Sequence, residues 1–380
     1  MLLDSGKTRV GLNAAELLLK KKSDAQILVV VPTQVLKDQW EEEIAKRFLF
    51  TCYVEIINTV VTQTPKVDLL ILDEAHKYCT EHLSQIFECV EYEMILCLTG
   101  TLERLDGKEE IVKQYAPVCD RVTMEEAISN SWVSQVKNYL VLLDVDLTDY
   151  NKANQKFNAA FAAFDYNFNT AMSALQDWKF RNTYAKQLGI SPKEVMALAA
   201  EFMRYLQLRK KFIADHPKKI EVCRKILDAR KDKKCITFSS TIKNAEKIGN
   251  GYVMHSKQSK KDNSAIIDMF NQASTGIIHT SKAADEGVNL QGLSVGIIMS
   301  IDSSKIRKTQ RVGRVCRFEP GKQAEMFTLV LRGTQEVKWF TNSNTTDVIT
   351  INEKQLDRIL AGEDISTRPR ELNEFENYRF

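Results

Sequence analysis

The chain has 380 residues, 44% of them hydrophobic, and 53 Lys and Arg against 50 Asp and Glu leave a formal charge of only +3. That length suggests two domains with separate cores, and the near-neutral balance leaves any contact with a polyanion to local patches. Eight cysteines without a CxxC pair read as buried, reduced thiols; with no run of roughly 20 apolar residues and no apolar signal core, the sequence predicts a soluble intracellular protein without a membrane partner.

In chain order, Ser5-Gly6-Lys7-Thr8 opens a helical segment. Helix-start amides and a Lys suit triphosphate oxygens, and a Thr hydroxyl suits Mg²⁺, although a plain helix cap competes evenly with that reading. Buried-strand patterns follow at 27–31, 54–58, 69–72 and 94–98. The third, in LLILDEAH, delivers two adjacent acids to a strand end: Asp73 suits Mg²⁺, and Glu74 suits orienting and deprotonating a water. Alternation of short apolar runs with amphipathic segments over 1–140 and again over 219–335 predicts α/β architecture with two parallel sheets. The second series of strands is expected at 235–238, 276–279, 295–299 and 324–331.

Between them, 149–211 lacks any strand pattern and predicts a helical insertion. Its Phe157, Phe161, Phe164 and Phe168 read as the buried face of a helix pair, and Ser191-Pro192 with Glu194 reads as a helix start. From Arg204 to Lys234 twelve Lys or Arg stand against four Asp or Glu. That run fits a phosphate-backbone track and a solvated basic linker equally. The expected division is 1–143, 144–218, 219–340 and a polar tail over 341–380.

Six segments taken in order resemble the superfamily 2 helicases and translocases, of DEAH-box type in the repair- and phage-type branch. ILVVVPTQVLKDQW (27–40) looks like motif Ia, LDEAH (72–76) like motif II and LTGTLERLDG (98–107) like motif III. CITFSSTIKNAEKIG (235–249) resembles motif IV, HTSKAADEGVNLQGL (279–293) motif V and QRVGRVCR (310–317) motif VI. The resemblance implies two RecA-like domains with ATP between them, driving translocation along or unwinding of nucleic acid, DNA rather than RNA. It gives Lys7 and Thr8 to phosphates and Mg²⁺, Asp73 to the metal and Glu74 to the water, with Ser5, Gly6, Gly287 and Asn289 also beside nucleotide. His76, Thr99 and Thr101 would couple nucleotide state to domain closure. Arg314 and Arg317, one helical turn apart, would reach the γ-phosphate with Gln310 nearby, while Arg311 faces away. Pro32, Thr33, Gln34, Ser239, Ser240 and Thr280 would contact the strand, each competing with a cap or turn role.

A full phosphate loop of this kind would put its first Gly where Met1 stands, and Asp4 fills a place usually given to a small residue. The strand leading into the loop and an upstream adenine-reading segment have no residues here. The sequence therefore also carries an alternative expectation: a truncated, catalytically impaired helicase-like nucleic-acid-binding module with poor ATP affinity.

Overall fold

Residues 27–31 are apolar without interruption, the pattern of a strand covered on both faces, and they form β1, Ile27–Val31, buried throughout. The computed structural model describes residues 6–80, 82–100, 102, 107–130, 132, 134, 136–281, 290–301, 323–341 and 348–365. β1 pairs in parallel with β2 (Cys52–Ile56) and β3 (Lys66–Asp73), and β4 (Glu91–Leu98) pairs with β3, giving the order β2-β1-β3-β4. Successive residues enter two cores. Leu28, Val30, Leu70 and Leu72 pack with Tyr78, Ile86 and Phe87, whereas Ile27, Val29, Leu69 and Ile71 pack with Leu12, Trp40 and Ile44. Those last three lie on α1 (Lys7–Lys21) and α2 (Gln34–Lys46), and each fully buried aliphatic side chain contributes ~1.5–3 kcal/mol. α1 comes close to α2 because Gly11 lacks a side chain: a Cβ there would stand 2.6 Å from the Trp40 ring. β4 ends the described sheet with Met94 exposed.

The second sheet has the order β11-β5-β10-β9-β6-β8-β7, with every described pair parallel. Its strands are β5 (Val136–Leu143), β6 (Lys234–Ser239), β7 (Tyr252–His255), β8 (Gly276–Ser281), β9 (Leu293–Ile298), β10 (Ala324–Leu331) and β11 (Val348–Asn352). Two elements lie across the expected boundaries. β5 ends at Leu143, yet it pairs along its whole length with β10 and carries β11 on its other side. Its apolar run needs cover on both faces and finds it there: Tyr139, Val141 and Leu143 enter one core, Leu140 and Leu142 another. The stretch beyond 341, expected to be a polar tail, supplies β11 and the helix Glu353–Leu360, whose Leu356 and Ile359 are buried in the core that holds Tyr139.

Between β5 and β6, the helices Thr148–Ala162, Phe168–Gln176, Trp178–Leu188 and Pro192–Asp215 share a core of their own. Phe157 and Phe164 are buried in it, Phe161 partly, and Phe168 is half exposed with its ring edge-on to Phe202. Ser191 starts the last helix through a capping box with Glu194, Pro192 occupying the first turn where a missing amide costs nothing. The insertion is tied to the second sheet. The Gln335 amide donates to the Tyr150 hydroxyl at 2.8 Å, and Arg209 donates to Gln335 Oε1 at 3.2 Å. Among the described residues no helix is long and apolar enough to cross a membrane.

Candidate functional site

β3 carries Asp73 to the C-terminal end of its sheet, where open α/β folds place their ligands. The chain then turns sharply, with Glu74 in the left-handed region at φ 52°. Such a backbone costs a non-glycine residue on the order of 1–3 kcal/mol, so the surroundings must hold it. The wholly buried Tyr78 does part of this, its hydroxyl donating to the Val30 carbonyl at 2.9 Å. Asp73 is only 4% exposed. Its Oδ1 accepts from the Glu74 amide at 2.9 Å, and its Oδ2 accepts from the Trp40 indole N–H at 2.9 Å. Burial pushes its carboxyl above the usual range and the Glu74 charge adds to this, while Lys7, Trp40 and the Glu74 amide oppose it.

Opposite these acids, Gly6 leads into α1 at φ 87° and itself offers no side-chain cap to the first amides, which lie at the positive helix end that favours anions. Lys7 is buried and its Nζ donates to Glu74 Oε1 at 3.2 Å; Thr8 follows, half-buried. Glu74 Oε2 is buried without a hydrogen-bond partner among the described residues and lies 3.4 Å from His76 Nδ1. That same His76 nitrogen is 3.1 Å from Thr99 Oγ1, just past the end of β4. The fold thus brings together Gly6, Lys7, Asp73, Glu74, His76 and Thr99, with Thr8 beside them. The buried Asp73 carboxyl and the half-buried Glu74 carboxyl stand by one ammonium group. Among the described residues no cluster of three or more His, Cys, Asp or Glu side chains is placed to hold a metal ion, so a divalent cation of the Mg²⁺ type, a hard ion suited to oxygen donors such as those of Asp73 and Thr8, would need phosphate oxygens and water as well. Ser5, Thr101, Gly287, Asn289, Gln310, Arg314 and Arg317 lie outside the described residues.

The residues expected to contact the strand lie at a helix start and at β-strand ends. Thr33 caps α2, its hydroxyl accepting from the Leu36 amide at 3.4 Å, and the exposed Gln34 donates to Asp38 Oδ1 at 2.7 Å next to a half-exposed Pro32. Thr280 donates to the Thr237 carbonyl at 3.0 Å, and the hydroxyls of Ser239 and Ser240 are shielded from solvent. The hydroxyls of Thr33 and Thr280 are thus engaged by local partners, as at a helix start and a buried strand, whereas those of Ser239 and Ser240 have no hydrogen-bond partner among the described residues.

Part of the basic run over 204–234 is engaged by the protein itself, while Arg204, Lys210, Lys211 and Lys231 are exposed. Lys219 is wholly buried, with both Glu336 oxygens 2.7 Å from its Nζ. Arg230 forks onto Glu325 at 2.7 and 2.9 Å, and Lys234 donates to the Asn271 and Gln291 carbonyls. Arg224 donates to the Ile248 and Lys247 carbonyls, Lys218 pairs with Glu353, Lys225 with Asp357, and Arg209 lies 4.1 Å from the Phe157 ring centroid. The sequence reading also missed Trp40, whose only signal was its place at the end of the 27–40 segment.

Residues 4–64 match the family model "Type III restriction enzyme, res subunit", and residues 218–319 match "Helicase conserved C-terminal domain". The chain is similar to the DNA 3'-5' translocase XPB2 of Sulfurisphaera tokodaii, 26% identical over 357 residues, covering 88% of this chain and 77% of that protein. In fold it resembles the Hef helicase domain of Pyrococcus furiosus, with TM-score 0.56 and 14% identity over 90% of this chain and 94% of that one. It likewise resembles S. cerevisiae Dbp5 bound to RNA and ADP BeF3, with TM-score 0.59 and 13% identity over 95% and 86%. The two matched segments lie in order on either side of the insertion, a relative aligns along most of the length, and both units carry parallel sheets like those of helicase domains, so the chain is similar to helicases and translocases in sequence and in fold.

Proposed function

We propose that the chain hydrolyses ATP with Mg²⁺ and uses the cycle to translocate along nucleic acid, DNA rather than RNA. The observation that carries this reading is the buried cluster of Lys7, Asp73 and Glu74 at the start of α1. Triphosphate oxygens arriving at the α1 amides compete with Glu74 for the Lys7 ammonium group. Glu74, released from Lys7, then has both carboxylate oxygens available to orient a water and take its proton. Asp73 and Thr8 would hold Mg²⁺, which supplies neutralisation of the phosphate oxygens. The His76–Thr99 contact joins this turn to the end of β4, so a shift at Glu74 is felt where Thr101 follows. Arg314 and Arg317, with Gln310, are proposed to reach the γ-phosphate, and Gly287 and Asn289 to line the nucleotide; an arginine so placed contributes on the order of 10³–10⁵ in rate.

DNA is favoured by the whole-length likeness to a protein named as a DNA translocase, while the Dbp5 structure holds RNA. The test measures displacement of a third strand from a DNA triplex, and of a probe from an RNA duplex, in the presence of ATP. Displacement on DNA that is lost in Arg317→Ala and kept in Arg311→Ala supports the reading. ATP-independent displacement, or activity on RNA alone, contradicts it.

A further inference from the structure

We infer that Trp40 is a positioning residue for Asp73: its indole N–H fixes the orientation of the carboxylate that holds the divalent cation. The inference rests on the nucleotide-site reading above. Trp40 is 1% exposed, and a buried indole N–H must find an acceptor. Here the acceptor is Asp73 Oδ2, at 2.9 Å, while the Glu74 amide holds Oδ1 at the same distance. Two donors from separate elements thus fix the carboxylate plane. A carboxylate has about four lone-pair sites, so two remain for a metal or its bound water.

The identity of the donor matters as much as its place. A Lys or Arg at position 40 would also satisfy Asp73, but its charge would repel the cation the acid is there to hold. An indole N–H fixes the oxygen without adding charge. The ring itself is held from above by α1, since a Cβ on Gly11 would meet the Trp40 ring at 2.6 Å and Leu98 Cδ1 at 3.2 Å. Trp40 therefore touches the helix that begins with Lys7, the strand end that carries Asp73 and, through Leu98, the approach to Thr99.

The experiment replaces Trp40 by 3-benzothienylalanine, installed at that position alone in the full chain. Sulfur then stands in for the N–H, with ring shape and volume kept. Mn²⁺ binding is measured by electron paramagnetic resonance with a non-hydrolysable ATP analogue, alongside the melting temperature and analogue binding in EDTA. Removing one hydrogen bond to a charged acceptor should weaken Mn²⁺ binding about tenfold to a hundredfold, with metal-free nucleotide binding unchanged and the protein still folded at the assay temperature, its melting lowered only by the loss of that one bond. Asp73→Asn is measured in parallel. If Asp73→Asn weakens Mn²⁺ binding and the isostere does not, the role of Trp40 is overturned and the site reading stands. If neither weakens it, both are overturned.

Discussion

Replacing Glu74 by Gln keeps the side chain's size and removes its charge. Glu74 Oε1 holds Lys7 Nζ at 3.2 Å, and two unit charges at that separation attract by about 5 kcal/mol at an effective dielectric of about 20. Most of this is offset by desolvation, leaving a net bond to a charged group on the order of 1.5–3 kcal/mol. Incoming phosphate must overcome that contact, so Glu74→Gln should bind ATP about tenfold more tightly. Hydrolysis should fall roughly 10²- to 10⁴-fold with loss of the group that takes the proton from water. Equilibrium binding of a fluorescent ATP analogue and phosphate release, measured on one preparation, read both quantities. Turnover near the wild-type rate would remove Glu74 from its role. Weaker ATP binding would show that Lys7 and Glu74 do not compete in the way the geometry implies.

Three further outcomes follow from the packing. Gly11→Ala should destabilise the first unit by about 1–3 kcal/mol, because the new methyl group meets Trp40 and Leu98 in a filled core; an unchanged thermal melt would mean that α1 stands farther from Trp40. At the buried pair, burial drives the Lys219 ammonium down and the Glu336 carboxyl up in pKa, against their mutual attraction. Lys219→Met should cost about 3–5 kcal/mol by leaving a buried carboxyl unpaired, and adding Glu336→Gln should recover part of it. Urea unfolding with amide exchange at Ile301 and Leu331, which both donate to Glu336, checks this; strictly additive losses would refute the pairing. Burial pushes the Glu325 carboxyl up, but Arg230 and Lys233 outweigh it and hold the group below its ordinary range. That contribution is present above the unfolded value of about 4.3 and lost as pH falls through the folded one. The melting difference between wild type and Arg230→Met should therefore narrow below about pH 4, leaving the residue due to Arg230's bonds to the Ile359 and Leu360 carbonyls; a difference independent of pH would count against it.

Local patterns carried most of the first sheet. The runs that became β1 and β3 are long and apolar because both faces are covered, and the acids at 73 and 74 stand out at the end of one of them. Pairings between distant segments were not legible. β5 sits next to the first unit in sequence, but its partner β10 begins at Ala324, and nothing local to 136–143 signals that. β7 is a four-residue edge strand and β11 lies in polar surroundings, so neither has a buried run to betray it. The ion pairs of the basic stretch over 204–234 were hidden for the same reason: the acidic partners of Lys219, Lys225 and Arg230, which are Glu336, Asp357 and Glu325, lie far along the chain. Within the site, the carboxylates and Lys7 were legible because their chemistry is carried by residue type. Trp40 was not, because an aromatic residue on an amphipathic helix has the same sequence signature whether or not its N–H reaches an acid.

Lys7, Asp73 and Glu74 are proposed to form the working ATPase of a nucleic-acid motor. ATP turnover of the chain is to be measured with and without duplex DNA, in wild type and in Lys7→Ala. Turnover should rise with DNA and be abolished in Lys7→Ala. Absence of turnover under saturating ATP, Mg²⁺ and DNA, or turnover that survives Lys7→Ala, would contradict it.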